Sequence, residues 1–367
     1  MYNAAMSGTV RPGAVIAKGI ALFIAIEIVI VSIGPRLASI SVYALPGLKR
    51  ERFPVSTLAP VDAALDVGDL PAMFASHVVS DPKSPEEFRV IVLGDSATWG
   101  TQDRVDEMMP AQLNDLGLAC GSRRVVAYNL SFPRSSATKD LMIIANAMSY
   151  EPDLIIWMIT WYTLMPKTRV DHVLVTQNPE EFYNLAQRFG FLPKDYRAPT
   201  WLDNALALNR SLYRVARYQL YSLIQLATGV DQLKGPPIDV SNELSADTTF
   251  EGMKPPTLRK AQVSLDQVAD AYKLADDVPI ILVNEPMQIL SGVPNSDVRY
   301  NSYYPRWVYE QYRQYLGETA TASGWDYLDL WNAFPAREFG DTPLHLLPQG
   351  QQALAQMLVP AIQKYCQ

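Results

Sequence analysis

Five short apolar runs, separated by helical or irregular sequence, constrain this chain more than any other feature. Residues 89–93 (RVIVL), 124–130, 153–160 (DLIIWMIT), 278–283 (VPIILV) and 325–330 are too short for core helices, and the third and fourth show no polar alternation. Such runs suit strands buried on both faces, which is what a parallel sheet covered by helices demands. Helices are expected between them at 106–118, where Met108, Met109, Leu113 and Leu116 recur at helical spacing, at 136–149, and finally from 348 to 365. The expectation is an α/β three-layer sandwich with a five-stranded, mainly parallel sheet, an N-terminal transmembrane helix and a helical insertion.

The transmembrane expectation rests on residues 19–33 (GIALFIAIEIVIVSI), an almost continuous apolar run that residues 13–17 extend. It is just long enough for the ~20 residues that hydrocarbon requires. Lys18 can snorkel, whereas Glu27 falls near mid-span. Gly34-Pro35-Arg36 is a poor cleavage site, so residues 1–34 read as a tail and an uncleaved anchor. Arg11 and Lys18 before the run oppose Arg36, Lys49, Arg50 and Arg52 after it, which leaves orientation open. Residues 35–87 read as a proline-punctuated stalk or cap with a short helix at 61–76, and residues 88–367 as the α/β domain. Between the third and fourth strands, residues 163–256 are too long for a simple crossover and form an insertion. Its helix at 206–227 gathers Leu212, Val215, Ala216, Leu220, Leu223 and Ala227 on a face expected to meet the core, with Arg210, Arg214 and Arg217 opposite. Docking of that helix on a membrane surface or a partner is the alternative.

A net charge of −7 argues against a nucleic-acid partner, since phosphate recognition needs a basic face. No glycine-rich phosphate loop follows the first strand, so a nucleotide cofactor is not expected, and neither is any other. Cys120 and Cys366 are too few and too distant in sequence for a zinc knuckle, which leaves two buried thiols or one disulfide, and no metal.

The chemistry is concentrated at two loops. Ser96 follows the first strand directly in Gly94-Asp95-Ser96. There its hydroxyl reaches the crevice at the carboxyl edge of the sheet, and amides of the following turn can serve an oxyanion. A serine needs a base, and the chain has three histidines. His77 lies before the sheet, and His172 sits in the insertion as a surface or core residue. His345 occupies a loop between the fifth strand and the last helix, on the same rim as Ser96, with Asp341 just upstream to orient the ring. Asn284, after the fourth strand, also reaches that rim and is a candidate for contacting a polar substrate. Trp99, Trp161 and Tyr162 fall near the site in sequence and suit either an aromatic wall or core packing.

In order, strand-G-D-S, strand-N-L-S, P-D-L-I-I-W and D-T-P-L-H-L-L-P-Q-G before a last helix resemble the SGNH (GDSL-like) hydrolase superfamily over residues 88–366, most of the insertion excepted. The resemblance implies Ser96, His345 and Asp341 as the catalytic set. The family spacing is D-x-x-H, so here one extra residue intervenes and Thr342 holds the strict position. It also implies an oxyanion hole from the nucleophile's N–H, a glycine N–H and an asparagine side chain. Arg134 stands at the glycine position and Tyr162 at the asparagine position, so two of the family's blocks are altered.

Similar departures occur in a membrane-anchored branch of the superfamily that works beside membrane-bound O-acyltransferases on extracytoplasmic glycans. That likeness implies a serine esterase or acyltransferase acting on a glycan or acyl ester, a membrane O-acyltransferase partner, and an outward-facing domain. An outward-facing domain in turn favours a Cys120–Cys366 disulfide. A catalytically impaired accessory subunit is the other reading.

Overall fold

The computed structural model describes residues 12–38, 42–45, 47–55, 68–198, 200–229 and 243–366. In chain order the elements are α1 (Pro12–Ala38), α2 (Leu70–Ser76), β1 (Glu87–Leu93), α3 (Ser96–Trp99), α4 (Met109–Asp115), β2 (Ala119–Cys120), β3 (Arg123–Asn129), α5 (Ala137–Ala147), β4 (Leu154–Ile159), α6 (Val173–Gln177), α7 (Pro179–Phe189), α8 (Trp201–Thr228), α9 (Leu265–Ala275), β5 (Ile280–Asn284), α10 (Arg306–Ser323), β6 (Asp326–Asp329) and α11 (Pro348–Gln363), with short 3₁₀ turns between them.

The strands form one sheet in the order β2-β3-β1-β4-β5-β6, parallel throughout except where β2 runs against β3. This is six strands where five were expected. The sixth, Ala119–Cys120, is only two residues long and carries no periodicity to read. Register is fixed by alternation: Ile91, Leu93, Ile155, Trp157, Ile159 and Leu282 enter one core, and Val90, Val92, Leu154, Ile156, Met158 and Val283 enter the other. Residues of α5, α9 and α10 fill the first core, and residues of α4 and α11 the second. This is the three-layer arrangement expected.

The segment read as a stalk or cap is, where described, packed into the domain. Phe53 and Leu70 are fully buried. Arg52 lies over the Trp99 ring at 4.0 Å and donates to Gly100 O at 2.6 Å, while Trp99 Nε1–H donates to Phe53 O. Trp99 is therefore a core residue, and so is Trp161, which packs on Phe250 and Tyr312.

Two further expectations are corrected. Residues 12–38 do form one helix, with Val15, Ile16, Ile20, Leu22, Phe23, Ile24, Ile26, Ile28 and Val29 exposed. Yet among the described residues no helix is long and apolar enough to cross a membrane. The side chains of Glu27 and of residues 30–38 lie outside the described set, so the described run is shorter than the ~20 residues a span requires. In the insertion, Leu220 and Leu223 of α8 are exposed while Ser222 and Gln225 are buried, the reverse of the expected face. The reason is local: Gln219 and Gln225 accept hydrogen bonds from Val42 N–H and the Tyr43 hydroxyl, which turns the polar side of α8 inward, and α8 lies against α1. The side chains of Arg210, Leu212, Arg214, Val215 and Arg217 lie outside the described set, as do residues 61–67 of the expected short helix, whose remainder is α2.

Candidate active site

β1 delivers the first group. Gly94 ends the strand under Thr98, where a Cβ would come within 2.3 Å of Thr98 Oγ1 and 3.2 Å of Met158 Cβ, so no side chain fits. Asp95 caps α3, its Oδ1 accepting the Ala97 N–H at 2.9 Å, and Ser96 opens the helix at half exposure.

His345 arrives from the other end of the chain. Phe339 pairs with Leu346, and Gly340 N–H donates to His345 O at 2.8 Å, closing a tight loop. Within it Thr342 Oγ1 accepts the N–H groups of Leu344 and His345. That turn absorbs the extra residue of the D-x-x-x-H spacing: Thr342 serves the backbone, and Asp341 reaches the ring. His345 Nδ1 lies 2.7 Å from Asp341 Oδ1, and His345 Nε2 lies 3.0 Å from Ser96 Oγ. Asp341 holds the Nδ1 proton, which leaves Nε2 free to accept the serine's. The chain resembles the SGNH hydrolases in this arrangement.

No protein-family model matches this chain, and no curated protein matches it. Solved structures similar to it include a carbohydrate acetylesterase family member from Sinorhizobium meliloti, at 14% identity over 76% of this chain and 98% of that one, with a TM-score of 0.34. The M. smegmatis aryl esterase follows at 11% identity, 76% and 99% coverage and a TM-score of 0.34. A protein assigned to the lipolytic G-D-S-L family, from Desulfitobacterium hafniense DCB-2, follows at 11%, 73%, 96% and 0.34. At such identities and scores these neighbours decide nothing about chemistry, and the functional reading rests on the side-chain geometry above.

The loop after β3 forms the other side of the candidate site. Phe132 N–H donates to Gly94 O at 3.2 Å, and the Ser135 hydroxyl donates to Asp95 Oδ2, so the loop is stitched to the nucleophile turn. Arg134 lies between those two stitches with φ of 69°, the backbone a glycine would adopt there. Its side chain is exposed. Among the described residues no protein acceptor takes the backbone N–H of Ser96 or of Arg134, so both donors are open.

Tyr162 follows β4, half-buried against Phe250, Tyr303 and Tyr304, and burial pushes its phenol up to about 12, so it stays a donor at neutral pH. Asn284, by contrast, is turned away from the rim. It is fully buried, its amide donating to Asp329 Oδ1 and its carbonyl accepting from the hydroxyls of Tyr309 and Tyr312. An asparagine at the last position of a central strand points into one of the two cores, and here α10 supplies its partners.

Tyr303 was not anticipated. It lies between β5 and α10, and burial together with the nearby Asp341 and Asp95 carboxylates raises its phenol, which also bonds Thr342. Nothing in the sequence marks it, since it lies well past the end of β5 and just before α10. The remaining histidines are structural. His77 Nδ1 accepts the Val79 N–H at 3.0 Å, and its Nε2 faces Glu51 O and Asn129 O. His172 repeats the device, with Nδ1 accepting from Leu174 N–H and Nε2 facing Pro133 O. Cys120 and Cys366 are joined as a disulfide.

Proposed function

We propose that this chain is a serine-dependent O-acyl esterase or acyltransferase acting on an extracytoplasmic glycan. One observation carries the reading: the continuous line from Ser96 Oγ through the His345 ring to Asp341. In the first half-reaction Ser96 Oγ bonds to the acyl carbonyl carbon as its proton passes to His345 Nε2. The resulting oxyanion meets the Ser96 and Arg134 amides. Collapse breaks the bond to the leaving alkoxide, which takes the proton from Nε2 and leaves acyl-Ser96. Water or a sugar hydroxyl then repeats the sequence in reverse.

The disulfide supports placement outside the cytoplasm. The exposed apolar residues of α1 support association with a membrane, beside a membrane-bound O-acyltransferase that supplies or receives the acyl group. A second reading, an accessory subunit with impaired chemistry, is favoured by Tyr162, which stands packed among aromatics where the family places an asparagine.

Full-length protein assayed with p-nitrophenyl acetate and a fluorophosphonate probe separates the two. The esterase reading expects hydrolysis and labelling at Ser96, with Ser96→Ala abolishing labelling and lowering kcat by about 10⁴-fold or more. Hydrolysis that survives Ser96→Ala, or no reaction with either reagent, favours the accessory subunit.

A further inference from the structure

One buried cation beneath the site is unaccounted for by the triad. α5 starts from the Ser136 cap, and its third residue, Lys139, has no exposed surface. Burying an ammonium costs several kcal/mol unless its protons are all met. Here two are donated, from Lys139 Nζ to Gly94 O at 2.7 Å and to Phe132 O at 2.9 Å, and the charge is balanced by Asp140 Oδ1, 2.8 Å away. Asp140 is itself held by Trp157 Nε1–H at 3.0 Å. Of the other carboxyls nearby, Asp95 is occupied by Ala97 N–H and the Ser135 hydroxyl, and burial raises that of Glu285 well above the ordinary carboxylate range.

The two carbonyls are informative. Gly94 lies two residues before Ser96, and Phe132 two before Arg134. Lys139 therefore grips both turns that carry the available amides. Stability alone is a poor account of the pair, because an apolar side chain of similar volume commonly does as well as a buried ion pair. We infer that Lys139 is the positioning residue of the oxyanion hole, its ammonium fixing the Ser96 and Arg134 amides relative to each other and lending positive charge beneath the developing oxyanion. The inference rests on the reading of Ser96 as an acylated nucleophile.

The test pairs Lys139→Met with the double variant Lys139→Met/Asp140→Asn, which leaves no unpaired buried carboxylate and keeps an acceptor for Trp157. Full-length proteins are compared by thermal unfolding, by kcat and KM for p-nitrophenyl acetate, and by fluorophosphonate labelling rate. The double variant is expected to unfold cooperatively near the wild-type temperature, with kcat and labelling rate down about 10²–10³-fold and KM changed less than about threefold. A folded double variant with kcat within about threefold of wild type overturns the positioning role while leaving the esterase reading intact. So does a loss of kcat that merely tracks a lowered unfolding temperature. Wild-type protein that neither hydrolyses nor labels removes the esterase reading and this inference with it.

Discussion

Arg134 occupies a left-handed backbone position that costs a residue with a Cβ roughly 1–2 kcal/mol relative to glycine. The loop tolerates this because Phe132 and Ser135 pin it to Gly94 and Asp95 on either side. The hydrogen-bond donor that matters is a backbone N–H, which any residue but proline supplies. Arg134→Gly should therefore raise the unfolding free energy by about 1 kcal/mol and keep kcat toward a small neutral ester within about threefold. Denaturant titration with steady-state kinetics checks both, and an unchanged or lower stability would refute the strain argument. The same scale shows what a sequence can disclose. Ser96 and His345 were legible because each follows a strand's carboxyl end and the chain offers few histidines. Asp341 was harder: its reach depends on the Thr342 turn, a backbone conformation that spacing does not reveal. Asn284 was misplaced because whether the last residue of a strand faces rim or core is settled by α10, from another part of the chain.

Among the elements, α6 shows how the insertion reaches the site. Its N-cap is His172, whose Nε2 faces Pro133 O, one residue before Arg134, so the insertion buttresses the oxyanion loop. Both bonds suit a neutral ring protonated at Nε2. Burial, aided by the Lys139 charge, lowers His172 to about 3. Because the unfolded chain binds that proton near 6.5 and the folded one does not until about 3, this group's contribution is intact above pH 6.5 and is lost as pH falls toward 3. The slope is about 1.4 kcal/mol per pH unit at most. His172→Asn keeps an acceptor for Leu174 N–H and removes the titration. Its unfolding free energy should start lower at pH 7 but fall by about 2 kcal/mol less than wild type between pH 6.5 and 5. Parallel pH slopes in urea titrations would show that the ring takes up its proton in the fold as readily as in the unfolded chain. Comparing the two proteins cancels the opposite trend from Glu181 and Asp140, whose carboxyls burial pushes up to about 7 and about 6. Elements of this kind were only partly readable. The central strands announced themselves by apolar continuity. The two-residue β2 had no pattern to detect, and the buried face of α8 was inverted by glutamines bonding to Val42 and Tyr43, a long-range pairing that helical periodicity cannot anticipate.

At the scale of the whole molecule, the disulfide ties an edge strand to the end of the last helix across a separation of 246 residues. A closure that long restricts the unfolded chain far more than the folded one, by about 5 kcal/mol in the chain-entropy treatment. The folded domain does not need the bond to hold its site. α11 starts just after His345, and that end is fixed separately: Gln351 donates to Asp103 Oδ2 at 2.9 Å, while Leu354, Leu358 and Ile362 fill the second core. The bridge sits at the opposite end of the helix. Cys120→Ala/Cys366→Ala should accordingly unfold about 5–10 °C below the oxidised wild type while its kcat at 25 °C stays within about twofold. Reduction of the wild-type protein should reproduce the shift. Calorimetry with and without reductant, alongside ester hydrolysis, measures both halves. Equal unfolding temperatures would mean the bond does not form in solution. A collapse of kcat at a temperature where the variant is still folded would mean that strain at the far end of α11 travels to His345, and that helix and catalytic loop move as one body.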